Sequence, residues 1–516
     1  MGITSLLRGY FRLRSERTDR WGEHLHAIQL RQLHRLLSHA RSTVYGHEHD
    51  FASIISAEDN DLYRVFANNV PRVEYEDIRG LVERMLQGEK NVLWRGVCRD
   101  FAQSSGTSGG KSKYIPITAD SLRWNHYAGA TDAVAHYLRL VPESRLFEHK
   151  SLILGGSFAN ELKGIDSKVH VGDLSATLIR RINPLANLVR VPDKKTALIA
   201  DWTEKLPLMS AQAAKADVGN ISGVPSWMLT LLREVMKKRG ADDLKEVWPN
   251  LEVFFHGGIS FEPYRKEYAS LMPSGNIRYL ENYNASEGFF AVQNDFDDPA
   301  MLLLLDCGIF FEFAPLDGGT PLPPWEVEEG KTYELLISAC HGLWRYSTGD
   351  TVKICSTSPL KIRVAGRTRS FINAFGEEVM EWNADKAVAE ACEKTDAAVE
   401  NYTVAPMFSH QGAKARHQWF VEWSRKPRSI EDFARILDNA LQSVNSDYQA
   451  KRSGDIFLGE PEVITLPAGT FNRWLSSVGS GKLGGQRKIP RLSNDRRIAD
   501  PLLGYIKEYS ESHKVK

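Results

Sequence analysis

The sequence lacks an excess of charge of either sign. Lysine and arginine together number 65, and aspartate and glutamate together also number 65, among 516 residues. A chain without net charge produces no general field that would attract nucleic acid or an anionic membrane surface. The composition therefore leaves local recognition of small molecules, and we expect neither a nucleic-acid nor a membrane partner.

Cysteine is scarce, and its spacing is irregular. The five cysteines, Cys98, Cys307, Cys340, Cys355 and Cys392, include no C-x-x-C pair. This pattern predicts neither a zinc site nor a disulfide framework, and free thiols suit a reducing compartment. We therefore expect a cytoplasmic protein.

Long hydrophobic runs are also missing. The first 17 residues carry Arg8 before any apolar core develops and contain no small-residue cleavage site, so they do not resemble a secretory signal. The most apolar window, residues 300–313, is interrupted by Asp306 and Glu312 and is too short to cross a bilayer. That window instead predicts a pair of buried strands.

The chain is long enough for two or three domains. Apolar residues recur at the helical period between residues 21 and 40 and predict an amphipathic helix. From about residue 90 to 365, strand-like runs alternate with helical patterns, which is typical of an α/β domain with a substantially parallel sheet. Residues 377–448 instead predict a smaller α+β domain, with two helices flanking a strand at 418–423. We place the boundary near residues 366–376.

A loop rich in glycine and hydroxyl groups begins at residue 104. Glycines permit close backbone approach, so main-chain N–H groups can converge on phosphate oxygens while hydroxyls donate further hydrogen bonds and lysine supplies charge. The loop therefore predicts a polyphosphate site, and with it ATP chemistry. Its sequence is Ser104-Ser105-Gly106-Thr107-Ser108-Gly109-Gly110-Lys111-Ser112-Lys113.

Two alternatives for this loop fit less well. A flexible linker would not be preceded by the apolar residues of 92–101 or followed by Tyr114-Ile115-Pro116-Ile117. The P-loop pattern G-x-x-x-x-G-K-[ST] is nearly met, but Ser105 stands where that pattern requires glycine. Pro116 also disfavours the helix that a P-loop lysine opens, so we expect an extended segment after the loop.

Two later segments complement the loop chemically. The segment Tyr283-Asn284-Ala285-Ser286-Glu287-Gly288 places a carboxylate in a tight turn, and Glu287 is a suitable Mg²⁺ ligand beside a triphosphate. The segment Trp344-Arg345-Tyr346-Ser347-Thr348-Gly349-Asp350 ends on a carboxylate that can accept hydrogen bonds from paired ribose hydroxyls. A solvated turn glutamate and a plain Gly-Asp turn are the respective alternatives.

Together these segments resemble the adenylate-forming enzymes, and most closely the Gretchen Hagen family of acyl acid amido synthetases. The loop matches that family's S-S-G-T-S-x-G-x-x-K at every specified position, and residues 283–287 match its Y-x-x-S-E. The family's Y-R-x-G-D is matched at Tyr346, Gly349 and Asp350.

The third motif also departs from the family. Ser347 stands where arginine is usual, which leaves Arg345 as the neighbouring cation able to reach the same space. Residues 366–379 resemble the hinge of the wider superfamily, and residues 486–491 resemble the C-terminal Q-x-K-x-P-R lysine motif.

The resemblance implies an α/β fold with a large N-terminal adenylate-forming domain of mixed or parallel sheets and a smaller, mobile α+β C-terminal domain. The implied bounds are 1–366 for the N-terminal domain, 367–376 for the hinge and 377–516 for the C-terminal domain. The implied activity joins a small carboxylic acid to an amino acid or other amine through an acyl-adenylate, with ATP and Mg²⁺ as cofactors. A monomer is the default expectation.

The resemblance also assigns roles to residues. The implied catalytic residues are Lys488, Glu287 and Lys113, with Lys482 as the rival of Lys488. The implied ATP- and AMP-binding residues are Ser104, Ser105, Gly106, Thr107, Ser108, Gly110, Gly257, Gly258, Tyr283, Ser286, Asp350 and Arg367, and Glu287 is the implied metal ligand. The implied acid-binding residues are Ser157, Phe158, Ser175, Val224 and Trp227.

Two other functions remain open at the level of sequence. An acyl-CoA ligase shares the first half-reaction and differs only in its acceptor. A non-catalytic nucleotide-binding protein is consistent with Ser347, although intact Lys113, Glu287, Asp350 and Lys488 argue against it.

Overall fold

The computed structural model describes most of the chain and divides it into two units. Residues not described are 1, 105–112, 159–164, 201, 259–260, 262–263, 275–276, 368–370, 373–376, 378, 408–414, 446–447, 450–451, 453–457, 478–488, 494 and 514–516. The first unit comprises the described residues of 1–258 and 274–364, and the second those of 259–273, 365–483 and 487–516. The predicted α/β fold, with a large N-terminal unit and a smaller C-terminal one, is confirmed.

Helices cover the beginning of the first unit and recur between its strands. They are α1 (Ile3–Glu16), α2 (Trp21–Ala40), α3 (Val44–Glu48), α4 (Phe51–Ile55), α5 (Asp59–Asn69), α6 (Tyr75–Leu86), α7 (Ala119–Ser121), α8 (Tyr127–Leu140), α9 (Leu174–Arg181), α10 (Pro184–Leu188), α11 (Lys194–Ala197), α12 (Trp202–Ala213), α13 (Pro225–Arg239) and α14 (Leu244–Val247). Two 3₁₀ turns, Arg17–Arg20 and Leu146–Glu148, and a π-helical turn, Leu122–His126, accompany them. The amphipathic helix predicted over residues 21–40 is α2, whose leucines line the core.

The strands of the first unit form two sheets. They are β1 (Asp100–Ser104), β2 (Lys113–Ile117), β3 (Lys150–Ile153), β4 (His170–Gly172), β5 (Arg190–Val191), β6 (Val218–Gly223), β7 (Val253–Gly257), β8 (Arg278–Ala285), β9 (Gly288–Gln293), β10 (Met301–Leu303), β11 (Ile309–Pro315), β12 (Thr332–Ala339), β13 (Tyr346–Thr357) and β14 (Leu360–Arg367). One sheet has the order β2-β1-β4, and the other has the order β11-β12-β13-β14-β10-β9-β8-β7-β6-β3-β5. The apolar window predicted to form two buried strands forms β10 and β11.

The larger sheet is parallel in one half and mainly antiparallel in the other. Strands β5, β3, β6, β7 and β8 run parallel, and β8, β9, β10 and β14 alternate in direction. Strand β7 is buried along its whole length, as parallel strands covered on both faces are. The register pairs Ile153 with Ser222, Gly223 with His256 and Gly257 with Asn282, so the carboxyl ends of four parallel strands lie along one edge. Ligands of such sheets collect at this edge.

The second unit is built around a three-stranded sheet. Its elements are α15 (Arg265–Ser270), β15 (Phe371–Ile372), β16 (Val379–Met380), α16 (Glu381–Thr395), β17 (Ala398–Met407), β18 (Arg416–Arg425), α17 (Ile430–Val444), β19 (Glu462–Leu466), α18 (Thr470–Ser477) and α19 (Ala499–His513). The predicted helix–strand–helix pattern is present as α16, β18 and α17, but the prediction missed β17, which pairs with β18. Trp419 packs in one core with Phe433 and Leu437, and its neighbour Phe420 packs in another with Phe471 and Leu502, so the strand buries both faces.

No helix among the described residues combines the length and apolar character needed to cross a membrane.

Three buried histidines make the first unit sensitive to acid. His126, His136 and His341 are at most 2 % exposed. Burial lowers the pKa of His126 and of His136 to about 4, and burial together with the charge of His126 lowers the pKa of His341 to about 3. In the unfolded chain each histidine titrates near 6.5, so unfolding takes up protons below that pH.

We expect the free energy of unfolding to fall as pH decreases from about 6.5 towards 4, by about 3 kcal/mol per histidine. Urea unfolding at several pH values measures this loss. Replacing His341 with phenylalanine should reduce the slope by up to about 1.4 kcal/mol per pH unit, whereas the exposed His24→Gln control should not. An unchanged slope in His341→Phe would contradict this account.

Candidate active site

The predicted phosphate loop connects two antiparallel strands. Ser104 ends β1 and pairs with Lys113, which begins β2. The extended segment expected after the loop is confirmed by β2, so the strand-to-helix geometry of a P-loop is absent here. The loop residues Ser105, Gly106, Thr107, Ser108 and Gly110 lie outside the described residues.

Tyr75, the first residue of α6, fixes the start of β2. The backbone N–H of Tyr114 donates to the Tyr75 hydroxyl at 2.8 Å. The Nζ atom of Lys113 lies 6.0 Å from the centre of the Tyr75 ring, at the outer limit for a cation–π contact. Burial raises the pKa of the Tyr75 phenol, which stays neutral. One aromatic side chain therefore holds the segment from which the predicted catalytic lysine projects.

The second motif forms the hairpin between β8 and β9. Ala285 pairs with Gly288, so Ser286 and Glu287 alone form the connection. Both are nearly buried, with Ser286 at 9 % and Glu287 at 8 % exposure. The alternative of a solvated turn glutamate is therefore wrong. A carboxylate held in such surroundings requires compensating charge or hydrogen bonds.

The second and third motifs meet through one hydrogen bond. The hydroxyl of Tyr283 donates to Oδ2 of Asp350 at 2.6 Å, and both residues are buried. Strands β8 and β13 are four steps apart in the sheet, which would separate them by about 19 Å if the sheet were flat. The sheet must curve strongly between them, and this curvature brings two motifs from distant parts of the sequence into contact.

The hydroxyl of Tyr346 lies near the carboxylates of both motifs. Tyr346 is fully buried, and its hydroxyl has no hydrogen-bond partner among the described residues. Burial raises the pKa of Tyr346 well above its usual range, and Glu287, Tyr75, Glu74 and Asp350 act in the same direction. These five residues, drawn from three regions of the chain, therefore form one cluster.

Sequence reasoning missed Glu74 and Tyr75. They lie in the segment between α5 and the first turn of α6, where Val73 pairs with Tyr346 in a parallel bridge. The N–H of Ser347 donates to the carbonyl of Val73 at 2.9 Å. No local pattern in the sequence indicates that this segment contacts the start of β13.

Arg345 does not replace the missing arginine of the third motif. Its guanidinium pairs with the buried Glu312 at 2.8 Å and donates to the carbonyls of Ala67 and Val70 at 2.7 and 2.8 Å. The positive φ of 43° at Arg345 belongs to the turn that leads into β13. The expectation that Arg345 reaches the site is therefore wrong, because its side chain is engaged in the core.

Ser347 is engaged as well. Its hydroxyl donates to Glu334, whose other oxygen accepts from Arg72 at 2.5 Å. The serine thus completes a buried link between β13 and β12 and adds no positive charge to the site.

Two glycines follow β7 at the same edge of the sheet. A Cβ atom on Gly257 would lie 2.4 Å from the carbonyl oxygen of Asn282, so only glycine fits beside β8. Gly258 has a φ of +84°, which glycine adopts without strain. This turn therefore lies one strand away from Tyr283.

The predicted acid-binding residues lie farther along the same edge. Ser157 and Phe158 follow β3, and Val224 and Trp227 lie between β6 and the first turn of α13. The hydroxyl of Ser175 accepts from the N–H of Gly156 at 2.8 Å. From β3 to β8 is three strand steps, about 14 Å. The structure thus brings the residues predicted to bind the acid and the residues predicted to bind the nucleotide on β7 and β8 to one edge of the sheet.

Residues 489–491, which end the C-terminal lysine motif, belong to the second unit. Lys488 and Lys482 are outside the described residues, and Arg367 ends β14 with only its backbone described. The residues directly after Lys488 are firmly held. The Thr403 hydroxyl donates to the carbonyl of Pro490 at 2.6 Å, and Arg491, which is buried, donates to Oδ1 of Asn401 at 2.8 Å.

Another cluster of potential metal ligands is already charge-compensated. Asp132, Asp306 and Cys307 lie close enough to share an ion. However, Arg14 and Arg17 pair with Asp132 at 2.8 and 2.9 Å. These ion pairs attach the N-terminal helix to the core. They also compensate the negative charge of Asp132, which a bound metal would otherwise balance.

Comparison with known families covers both units. The GH3 family N-terminal domain matches residues 14–277, the GH3 family central domain matches residues 302–367 and the GH3 family C-terminal domain matches residues 382–497. The chain is 22 % identical to indole-3-acetic acid-amido synthetase GH3.17 of Arabidopsis thaliana, with 90 % of each chain covered. It is 28 % identical to jasmonoyl–L-amino acid synthetase JAR4 of Nicotiana attenuata, covering 83 % of this chain and 85 % of that one.

Solved structures share the fold. GH3.15 acyl acid amido synthetase superimposes with a TM-score of 0.75 at 18 % identity and covers 93 % of both chains. 2-Hydroxyisobutyryl-CoA ligase in its postadenylation state superimposes with a TM-score of 0.58 at 12 % identity, covering 93 % of this chain and 91 % of that one. The family predicted from the motifs is therefore confirmed, and the chain belongs to the GH3 family.

Proposed function

We propose that this protein is an ATP-dependent acyl acid amido synthetase. It activates a small carboxylic acid as an acyl-adenylate with release of pyrophosphate, and then joins the acyl group to an amino acid or other amine with release of AMP. The observation that carries this proposal is the hydrogen bond between Tyr283 and Asp350 beside Glu287, because it assembles two nucleotide-binding motifs in one place. The named activities of the amido synthetase relatives support the same reaction.

The chemistry explains why ATP is required. A free carboxylate is a poor acylating agent because its leaving group would be oxide. Attack of a carboxylate oxygen on the α-phosphorus of ATP breaks the bond to the β-phosphate and makes AMP the leaving group. Negative charge builds on the phosphate oxygens in that step, and fixed positive charge and N–H donors stabilise it.

We propose the following nucleotide roles for the site residues. The loop from Ser104 to Lys113 holds the β- and γ-phosphates, and Lys113 lies at the end that Tyr75 fixes. Asp350, which Tyr283 orients through its hydroxyl, accepts from the ribose hydroxyls. The ring of Tyr283 and the Gly257–Gly258 turn form the adenine slot, with Ser286 alongside.

The residues present fit a Mg²⁺ ion at Glu287. This carboxylate is buried at a hairpin tip near Asp350 and Tyr346, and Mg²⁺ prefers one or two carboxylates together with phosphate oxygens. When bound, the ion neutralises charge on the phosphates. Glu287 would hold the ion, and its burial limits the access of water to this carboxylate.

We take the remaining roles from the family resemblance. Lys488 bridges the α-phosphate and the incoming carboxylate, and Arg367 assists Asp350 at the ribose. We place the domains at 1–366 and 377–516, with a hinge at 367–376 whose rotation admits the acceptor after adenylation. The balanced charge and the irregular spacing of the cysteines support a cytoplasmic protein that acts on small molecules, without nucleic-acid or membrane partners. A monomer remains the default expectation.

The acid occupies the edge between β3 and β6. Ser157, Phe158, Ser175, Val224 and Trp227 line this subsite. Its aromatic members suit an aryl, indolyl or hydrophobic acyl acid.

Trapping with hydroxylamine tests the first half-reaction. Purified protein with ATP and Mg²⁺ is assayed against indole-3-acetate, 4-hydroxybenzoate, jasmonate, 2,4-DB and octanoate. Formation of hydroxamate together with pyrophosphate, dependent on the acid, is the expected result. ATP binding without acid-dependent product from any of these acids would contradict the proposal and favour a non-catalytic nucleotide-binding protein.

A further inference from the structure

A buried lysine lies next to the loop that follows β3. Lys205, on α12, is 2 % exposed. Its Nζ atom donates to the carbonyl oxygen of Gly155 at 2.5 Å and to that of Gly156 at 3.2 Å. An ammonium group is costly to bury, and these two carbonyls replace part of its hydration. No motif and no step of the proposed reaction involves this lysine.

Asp173 also holds this loop, through hydrogen bonds with the loop backbone. The N–H of Ser157 donates to Oδ2 of Asp173 at 2.8 Å, and the N–H of Asp173 donates to the carbonyl of Ser157 at 2.9 Å. The N–H of Gly156 donates to Ser175. Every backbone polar group from the Gly155 carbonyl to the Ser157 carbonyl therefore has a partner, which is unusual for a loop of glycine and serine.

Opposite charges and close packing reinforce this arrangement. Burial lowers the pKa of Lys205 to about 8, against the attraction of Asp173, so the ammonium is charged at neutral pH and makes charge-assisted hydrogen bonds. A Cβ atom on Gly156 would lie 1.8 Å from Oδ2 of Asp173, and one on Gly155 would lie 2.3 Å from Cδ1 of Ile179. The loop thus has little room to shift while both charged groups are in place.

We propose that Lys205 is a positioning residue for the acid substrate, which together with Asp173 fixes the loop that carries Ser157 and Phe158. The inference rests on the proposed function, which places the acid at this loop. Without the ammonium, two buried carbonyls lose their donors and the loop shifts to reach water or other partners. Among the proposed ATP-binding residues, Gly257, Tyr283 and Asp350 lie on β7, β8 and β13, and we expect them to keep their contacts.

Acid-dependent exchange of pyrophosphate into ATP measures KM for the acid and KM for ATP separately. In Lys205→Met we expect KM for benzoate or indole-3-acetate, whichever the wild type activates, to rise at least tenfold, with KM for ATP within twofold. Lys205→Arg, which keeps a buried cation, should recover part of the loss. Asp173→Asn should raise the acid KM in the same direction. Lys215→Met, an exposed change just beyond α12, is the matched control.

The outcomes separate this inference from the function on which it rests. No exchange by the wild type with any acid would overturn the proposed function. If the wild type catalyses exchange but KM for the acid is unchanged in Lys205→Met, only the positioning role is overturned. Parallel increases of the acid and ATP KM values would also overturn it, because a general loss of structure predicts that result. Thermal melting of each variant checks that the protein is folded.

Discussion

Replacing Lys488 with alanine is expected to abolish acid-dependent exchange of pyrophosphate while sparing the second half-reaction. A lysine that bridges the α-phosphate and the attacking carboxylate stabilises charge that exists only during adenylation. Removing one such group costs about 3–4 kcal/mol, a factor of about 10²–10³ in rate. The attack of an amine on a preformed acyl-adenylate does not need this charge.

We assign this role to Lys488 rather than to its rival Lys482 because Lys488 occupies the lysine position of the family's C-terminal motif. The segment that directly follows Lys488 is held to β17, since the N–H of Val404 donates to the carbonyl of Arg491 at 2.8 Å. Ile489 itself is buried. Lys482 lies seven residues before the first described residue of this anchored segment.

The measurement compares Lys488→Ala and Lys482→Ala in two assays. One is pyrophosphate exchange, and the other is amide formation from a synthetic acyl-adenylate. We expect Lys482→Ala to keep exchange within a few-fold of wild type. Equal loss of both steps in Lys488→Ala would contradict the assignment, and loss of exchange in Lys482→Ala alone would transfer the role to that lysine.

Replacing Asp350 with alanine should raise KM for ATP by at least about 100-fold. The carboxylate is proposed to accept from the ribose, and hydrogen bonds to charged groups are worth about 1.5–3 kcal/mol each. The change also leaves the buried hydroxyl of Tyr283 without its partner, which adds a desolvation cost.

Two further variants distinguish these contributions. Tyr283→Phe removes the donor but keeps the carboxylate, so we expect a smaller effect, about tenfold. The exposed Asp317→Asn, in the turn after β11, is the matched control and should leave KM for ATP unchanged. Steady-state exchange at varied ATP gives these values. A KM for ATP in Asp350→Ala close to that of wild type would show that the nucleotide lies elsewhere.

Contiguous features were predictable from the sequence because their physical causes are local. The helical period of residues 21–40 predicts α2, and the proline after the phosphate loop predicts an extended β2. The phosphate loop and the segment at 283–288 are each a short run whose chemistry can be read directly. For the same reason the family could be identified before the fold was known.

Contacts between distant residues were not predictable. The hydroxyl of Tyr283 meets Asp350 across 67 positions because the sheet curves, and curvature leaves no periodic signal in one sequence. Tyr75 reaches Tyr114 across 39 positions from a helix that carries no motif. Arg345 was assigned to the site by proximity alone, but its ion pair with Glu312 takes it into the core.

The burial of Lys205 was also not predictable from the sequence. A lysine beside Glu204 on an ordinary helix is most often a surface residue, and nothing in its neighbourhood suggests burial. Only the packing of α12 against the loop after β3 places it inside. Buried charges of this kind are found in a structure and not in a sequence pattern.

The most direct test of the central claim is the identity of the product when amino acids compete with coenzyme A. The acid that the protein activates is incubated with ATP, Mg²⁺, a mixture of the standard amino acids and coenzyme A, and the products are identified by mass spectrometry. The account predicts an N-acyl amino acid formed with one AMP per amide bond. A thioester of coenzyme A, with no amide, would contradict it and identify the protein as an acyl-CoA ligase.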